Sequence, residues 1–362
     1  MRSEIASADR LVIKVGSSSL TTPDGGALDL DRVRLLADTL SVLHNSGRRV
    51  VLVTSGAIAA ALVPLGLRRR PRDLETQQAA AAVGQGLLIR HYTEAFAVHG
   101  VQVAQLLLTV EDVLRPTTYR NALDTMSRLF RLGVVPIINE NDTVATHEIR
   151  FGDNDRLAAL VAHLVRADAL FLFSDVEGLY TGHPSEPGSE LIRHVPDVSK
   201  LQVDTSRVGS KVGTGGMATK LEAAQIACQG GIPVVLTDTD NLAAALAGED
   251  VGTLFSPTGK RRPRRLLWLA HAAETRGRLH VDAGARRALI TTHASLLAAG
   301  VVRVEGVFGD GEPVDIVGPD DKAFARGFVS YGSQELGGML GLHGDEGSTL
   351  RPVVHRDQFI DL

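Results

Sequence analysis

The stretch LVIKVGSSSLTTPDGGALDLDRVRLLADTLSVLHNSGRRVVLVTSG, residues 11–56, decides the fold class. Leu11–Val15 is an aliphatic run that ends at Gly16. Asp31 is placed to cap a helix whose Val33, Leu36, Leu40 and Leu43 share one face, and Gly47 is placed to stop it. Val50–Thr54 follows with no polar alternation, as a strand buried on both faces requires. The order is strand, helix, strand.

The rhythm continues along the chain. Val101–Leu108 reads as strand, Tyr119–Leu132 as helix closed by Gly133, and Val134–Ile138 as strand. Leu157–Val165 reads as helix and Leu170–Phe173 as strand; Lys220–Cys228 reads as helix and Val234–Leu236 as strand. This alternation predicts an α/β fold, a mainly parallel sheet with helices on both faces. Near residue 256 the character changes. SPTGKRRPRRLLWL carries prolines and a basic run from Lys260 to Arg265 and reads as a linker. Beyond it the apolar runs shorten (HVDAG, VVRVEGVF, VDIVG, ARGFVSY, PVVHRD) and turn residues separate them. The expected organisation is an α/β domain over 1–255, a linker over 256–276 and a small β-rich domain over 277–362.

Composition excludes several classes. The 362 residues are 44% hydrophobic and 22% charged, so the chain has ample core for two domains. Aromatics are only 4%, which makes the interior aliphatic. A net charge of −4 does not fit a protein that tracks nucleic acid or an anionic membrane. The single cysteine, Cys228, excludes an internal disulfide and a cysteine-rich zinc site, and fits a reducing compartment. MRSEIASADR has no apolar core of a signal peptide, and no run reaches the length of a membrane span. The expected location is the cytoplasm.

In a parallel α/β sheet, ligands bind beyond the carboxyl ends of the strands. Lys14-Val15-Gly16-Ser17-Ser18, Thr54-Ser55-Gly56-Ala57, Asn139-Glu140-Asn141-Asp142 and Ser174-Asp175 all fall there. Gly213-Thr214-Gly215-Gly216-Met217-Ala218-Thr219-Lys220 runs straight into a helix. Its glycines let backbone N–H groups approach an anion, the helix start adds positive potential, and Lys220 adds a full charge. Leu221 follows Lys220, so this is not a Walker A motif. Lys14 sits inside an aliphatic strand; either its head reaches solvent along a buried stem, or it is paired. A phosphate is the simplest partner shared with Lys220. Asp155, in Phe151-Gly152-Asp153-Asn154-Asp155, reads either as a helix N-cap or as the group that orients the two lysines, with Asn154 binding a substrate. His355-Arg356-Asp357 mimics a protein-kinase catalytic loop without the downstream Asn. The histidines form no H-E-x-x-H pair, and Ser55 lacks the G-x-S-x-G elbow.

VIKVGSSSL, VTSGAIAA, INENDTV, FGDND, GLYTG and GTGGMATK, in this order, resemble the glutamate 5-kinase family. VDAGARRAL, SLLAAGV, GVFGDGEPV and the terminal HRD resemble that family's PUA domain. The resemblance implies an amino acid kinase fold over residues 1 to about 255 and ATP-dependent phosphorylation of the L-glutamate γ-carboxylate, the first step of proline biosynthesis. It implies that ATP, with Mg²⁺, binds at Lys14, Ser174, Asp175 and Thr214, Gly215, Gly216, Met217, Ala218, Thr219 and Lys220. It implies that Ser55, Asp142 and Asn154 bind L-glutamate and that Asp155 organises Lys14 and Lys220. Those three are the implied catalytic set, with no protein metal site. The family also implies feedback inhibition by proline, a homo-oligomer, and coupling to glutamyl phosphate reductase. The sequence departs from the family pattern at Ser174, where Thr is usual, at Gly182-His183 after the Tyr-Thr pair, at Ala61 and at THASLL. Two other readings stand beside this one. A relative acting on aspartate, carbamate or a nucleoside monophosphate would share the lysines and the glycine loop. A PUA-type RNA-binding protein would need a basic surface, and residues 277–362 hold 8 basic against 12 acidic side chains.

Overall fold

The computed structural model describes residues 2–22, 25–114, 116–144, 154–186, 188–201, 216–258, 269, 275–292, 294–340 and 351–362. The chain divides into two compact units, Met1–Arg261 and Arg262–Leu362.

The first unit opens with α1 (Arg2–Ala6), β1 (Arg10–Val15), α2 (Leu30–Asn45) and β2 (Arg49–Thr54). Then come α3 (Ala57–Leu62), α4 (Leu74–Ala97), β3 (Gln102–Leu108), α5 (Val110–Leu114), α6 (Pro116–Arg131) and β4 (Val134–Glu140). It continues with α7 (Asn154–Val165), β5 (Ala169–Ser174), β6 (His194–Val195), α8 (Met217–Gln229), β7 (Val234–Asp238), α9 (Leu242–Leu246) and β8 (Thr253–Phe255). The strands form one sheet in the order β3-β4-β2-β1-β5-β7-β8-β6. All its pairs are parallel except β7 with β8. The mainly parallel α/β sheet expected from the alternating pattern is therefore present.

Period-two alternation sorts β1 onto two faces. Leu11, Ile13 and Val15 join a core with Val33, Leu36 and Leu40 of α2 and Leu88, Tyr92 and Phe96 of α4. Val12 and Lys14 take the other parity, toward the face where α7 packs on β1 and β5 and α8 packs on α7. One residue of register thus decides whether Lys14 enters an aliphatic core or a polar site.

The predicted cap of α2 is corrected. Asp29, not Asp31, accepts from the amides of Asp31 (3.1 Å) and Arg32 (3.2 Å). A helix that starts at Leu30 presents its free N–H groups to the residue before it, and Asp31 is already inside the first turn. Gly47 does end this segment, with φ at +94°. The long helix α4 has no counterpart in the sequence reading. Its alanine-rich first half, LETQQAAAAVGQG, gives little apolar periodicity to read. Close packing explains that composition: a Cβ on Gly84 would lie 1.7 Å from the carbonyl oxygen of Ala57 in α3.

The second unit holds a separate sheet of β9 (Gly277–Val281), β10 (Val301–Gly306), β11 (Pro313–Val317), β12 (Ala323–Phe328) and β13 (Phe359–Asp361), in the order β10-β9-β11-β12-β13. Leu279, Val281, Val314, Ile316 and Val353 lie in its core. Among the described residues it is joined by α10 (Ala283–Thr292) and α11 (Ser333–Met339). Asp282 starts α10 by accepting from the Ala285 amide at 2.7 Å. PVVHRD forms no named strand: Val354 makes an isolated bridge with Leu296, and His355 accepts from the Asp357 amide in a tight turn. The basic run 260–265 lies outside the described residues.

Candidate functional site

The carboxyl ends of β1, β2, β4 and β5 open into one cleft. Lys14, Ser55, Asp142, Asn154, Ser174 and Lys220 all line it. Each of the four strand ends picked out from sequence thus gives at least one residue to this cleft. Thr214 and Gly215 lie outside the described residues.

At its centre two lysines share one carboxylate. Lys14 Nζ lies 2.5 Å from Asp155 Oδ1, and Lys220 Nζ lies 3.3 Å from Asp155 Oδ2. Thr219 Oγ1 donates to the same Oδ2 at 2.9 Å, and also to the Gly216 carbonyl oxygen at 2.9 Å. The side chains of Lys14 and Asp155 are only 6% and 2% exposed, so Lys14 does not reach out to solvent; Asp155 lies inside the first turn of α7, and its carboxylate is taken up by the lysines and Thr219. Burial alone would push the Asp155 carboxyl up; the two ammonium groups and the hydrogen bonds overcome it and hold it at about 2. Lys220 is pulled down, first by burial and then by Lys14, while Asp155 and Asp175 oppose the shift. Within this trio, two ammoniums against one carboxylate leave one net positive charge. That surplus suits an anionic phosphoryl group.

The other wall is an amide and hydroxyl network. Asn154 Nδ2 donates to Ser55 Oγ at 2.9 Å and to Asn139 Oδ1 at 3.1 Å. The Glu140 amide donates to Asn139 Oδ1 at 2.9 Å and to Asn154 Oδ1 at 3.2 Å. These bonds tie the ends of β2, β4 and α7 together and fix Asn154 at the start of its helix. Ser174 Oγ donates to Asp175 Oδ1 at 3.0 Å, which keeps a hydroxyl and a carboxylate together at the end of β5. Gly216 stands at the N-cap of α8, with Met217 and Lys220 buried and Ala218 exposed.

Asp142 is buried, and desolvation pushes its carboxyl up to about 6 against the pull of Arg70. Arg70 lines the same cleft from the segment between α3 and α4. In the sequence Arg70 closes a surface-like run, Arg68-Arg69-Arg70, and its first two members are indeed exposed. The sequence reading includes neither Arg70 nor the part of Asn139, whose amide oxygen is the hub of the network. Both residues are polar groups at a strand end or in a loop, and only the folded chain shows where they point.

Residues 9–238 match the Amino acid kinase family, and residues 277–347 match the PUA domain. A glutamate 5-kinase of Salinispora arenicola (strain CNS-205) is 56% identical over 99% of this chain and 100% of its own length. One of Cutibacterium acnes is 53% identical over 99% of this chain and 93% of its own. One of Thermobifida fusca is 54% identical over 100% of this chain and 95% of its own. A solved UMP kinase of Bacillus anthracis aligns at a TM-score of 0.46 and 17% identity, covering 70% of this chain and 97% of that one. With the lysine–aspartate centre in place and matches of this length, the chain belongs to the amino acid kinase family and, within it, to the glutamate 5-kinases.

Proposed function

We propose that this chain transfers the γ-phosphoryl group of ATP to the side-chain carboxylate of L-glutamate, giving L-glutamyl 5-phosphate and ADP, the first step of proline biosynthesis. The observation that carries it is the convergence of Lys14 and Lys220 on Asp155 in a cleft that Ser55, Asp142 and Asn154 also line. A carboxylate oxygen forms the new bond to phosphorus. The bond from phosphorus to the β,γ-bridging oxygen breaks, and ADP keeps that electron pair.

The acceptor's carboxyl group has a reference pKa of about 4.3, so it is ionised at neutral pH and needs no general base. The barrier is charge. A −1 group about 4 Å from a −2 group at an effective dielectric of about 20 is repelled by roughly 8 kcal/mol. Lys14 and Lys220 brace the transferred group, Asp155 holds both in place, and positioning with charge does the rest. Bound together with the nucleotide, Mg²⁺ would supply further positive charge beside the two lysines. ATP takes Ser174, Asp175 and the segment Thr214–Lys220; L-glutamate takes Ser55, Asp142 and Asn154.

Residues 1–255 are the catalytic part in this reading, residues 256–276 the linker and residues 277–362 the PUA part. Among the described residues no helix is long and apolar enough to cross a membrane. A cytoplasmic site fits the one buried, unpaired cysteine, Cys228. Feedback by proline, a homo-oligomer and delivery of the product to glutamyl phosphate reductase complete the proposal, the last because an acyl phosphate is a reactive mixed anhydride. The test uses that reactivity. With L-glutamate, ATP, Mg²⁺ and hydroxylamine, the purified chain should form a glutamyl hydroxamate in step with ADP release. Neither product forming would defeat the reading.

A further inference from the structure

We propose that Arg70 binds the α-carboxylate of the acceptor amino acid and, with Asp142, reads its charged head. This rests on the acceptor being L-glutamate, as proposed above.

Arg70 and Asp142 line the cleft that holds the two lysines. They come from separate parts of the fold, Arg70 from the segment between α3 and α4 and Asp142 from just beyond β4. They are close enough to act on each other's charge: Asp142 opposes the lowering of Arg70, and Arg70 opposes the raising of Asp142. Yet among the described residues neither makes a hydrogen bond or a contact ion pair. A half-buried guanidinium and a buried carboxylate that face one cleft without closing on each other are groups set to receive something between them.

The position fits a zwitterion. Strand β2 lies between β4 and β1 in the sheet, so the end of β4 stands about two strand spacings, about 10 Å, from the end of β1 that carries Lys14. Ser55, at the end of β2, occupies the middle with its bond to Asn154. An amino acid laid along this line puts its head at Arg70 and Asp142 and its side-chain carboxylate toward Lys14. Asp142 takes the ammonium. Without Arg70, the α-carboxylate would face a carboxylate of its own sign. Arginine suits the task, since its planar fork matches a carboxylate with two parallel hydrogen bonds.

The assay is acceptor kinetics on the full chain with L-glutamate and with L-isoglutamine, whose α-carboxylate is an amide and whose side-chain carboxylate is intact. Arg70→Ala should lower kcat/KM for L-glutamate about 30–100-fold, through KM with kcat and the KM for ATP held. It should leave kcat/KM for L-isoglutamine within about twofold of the parent chain. Arg70→Lys should recover part of the loss, and it serves as the deciding variant if Arg70→Ala does not fold. Equal losses on both acceptors, or no loss on L-glutamate, would overturn the assignment of Arg70 alone. A parent chain that releases no ADP with L-glutamate would overturn the acceptor itself and this assignment with it.

Discussion

Lys14 Nζ and Asp155 Oδ1 stand 2.5 Å apart with both side chains almost wholly out of water. The lysine comes from the central strand β1 and the aspartate from the first turn of α7, so the pair exists only when the helix is docked on the sheet. Lys220, from the first turn of α8, closes the group from a third element. The buried charge cluster and the tertiary packing are therefore one structure at this point.

Removing the shared carboxylate should damage both. Asp155→Asn leaves two buried ammoniums without a counter-charge, and breaking a buried pair costs about 3–5 kcal/mol. Urea denaturation at neutral pH should show a loss of this order, together with a collapse of turnover. The pH dependence has a fixed sign. Asp155 is held at about 2 in the folded chain, below the ordinary carboxylate value, so its contribution is fully present above about pH 4. It is lost as pH falls through about 2. The Asn variant should lack this part of the acid profile.

Each lysine should carry a large share of the rate. Lys14→Ala and Lys220→Ala, assayed at saturating ATP, should each lose about 10²–10³ in kcat, the scale for one preorganised donor. Losses under about threefold in both variants would remove the bracing role.

Asp142 should set the acid limb of acceptor binding. Burial raises its carboxyl to about 6, so the free protein loses this charge just below neutral pH. The kcat/KM for L-glutamate should fall as pH drops through about 6, while the KM for ATP holds steady. The stability sign is the reverse of that for Asp155. A folded-state value above the unfolded one means the folded chain binds the extra proton between about pH 4 and 6, and stability falls as pH rises through that window. Asp142→Asn should therefore be more stable at pH 7 by up to roughly 2–3 kcal/mol, with the difference gone below about pH 4.

Gly84 should tolerate no side chain. A Cβ there would meet the Ala57 carbonyl carbon and oxygen at 2.6 and 1.7 Å, and both are backbone atoms that cannot swing aside. Gly84→Ala should cost about 3 kcal/mol in denaturant unfolding, the upper range for overpacking. Because α3 follows Ser55 and Gly56 directly, the KM for the acceptor should rise as well.

The parallel sheet was legible because buried strands leave near-continuous aliphatic runs, as in Leu11–Val15 and Val50–Thr54. The site edge was legible because small and polar residues follow those runs. The start of α2 was misplaced by two residues because Asp29 and Asp31 are chemically equal candidates, and only the first helical amide chooses between them. The helix α4 was missed because its alanines and glycines answer to contact with α3, which leaves no periodic apolar stripe.

Sequence alone determined the strand–helix alternation around β1, β2, β3, β4, β5 and β7, the family likeness and the residue types at the strand ends, since these follow from local patterns of burial and turn chemistry. Tertiary structure alone decided that Lys14 faces α7, that Asp155 serves two lysines and that Arg70 turns inward toward Asp142. Charge interactions act through space over a few ångströms, and the chain brings those groups within reach only when β1, α7, α8 and the loop before α4 are packed together.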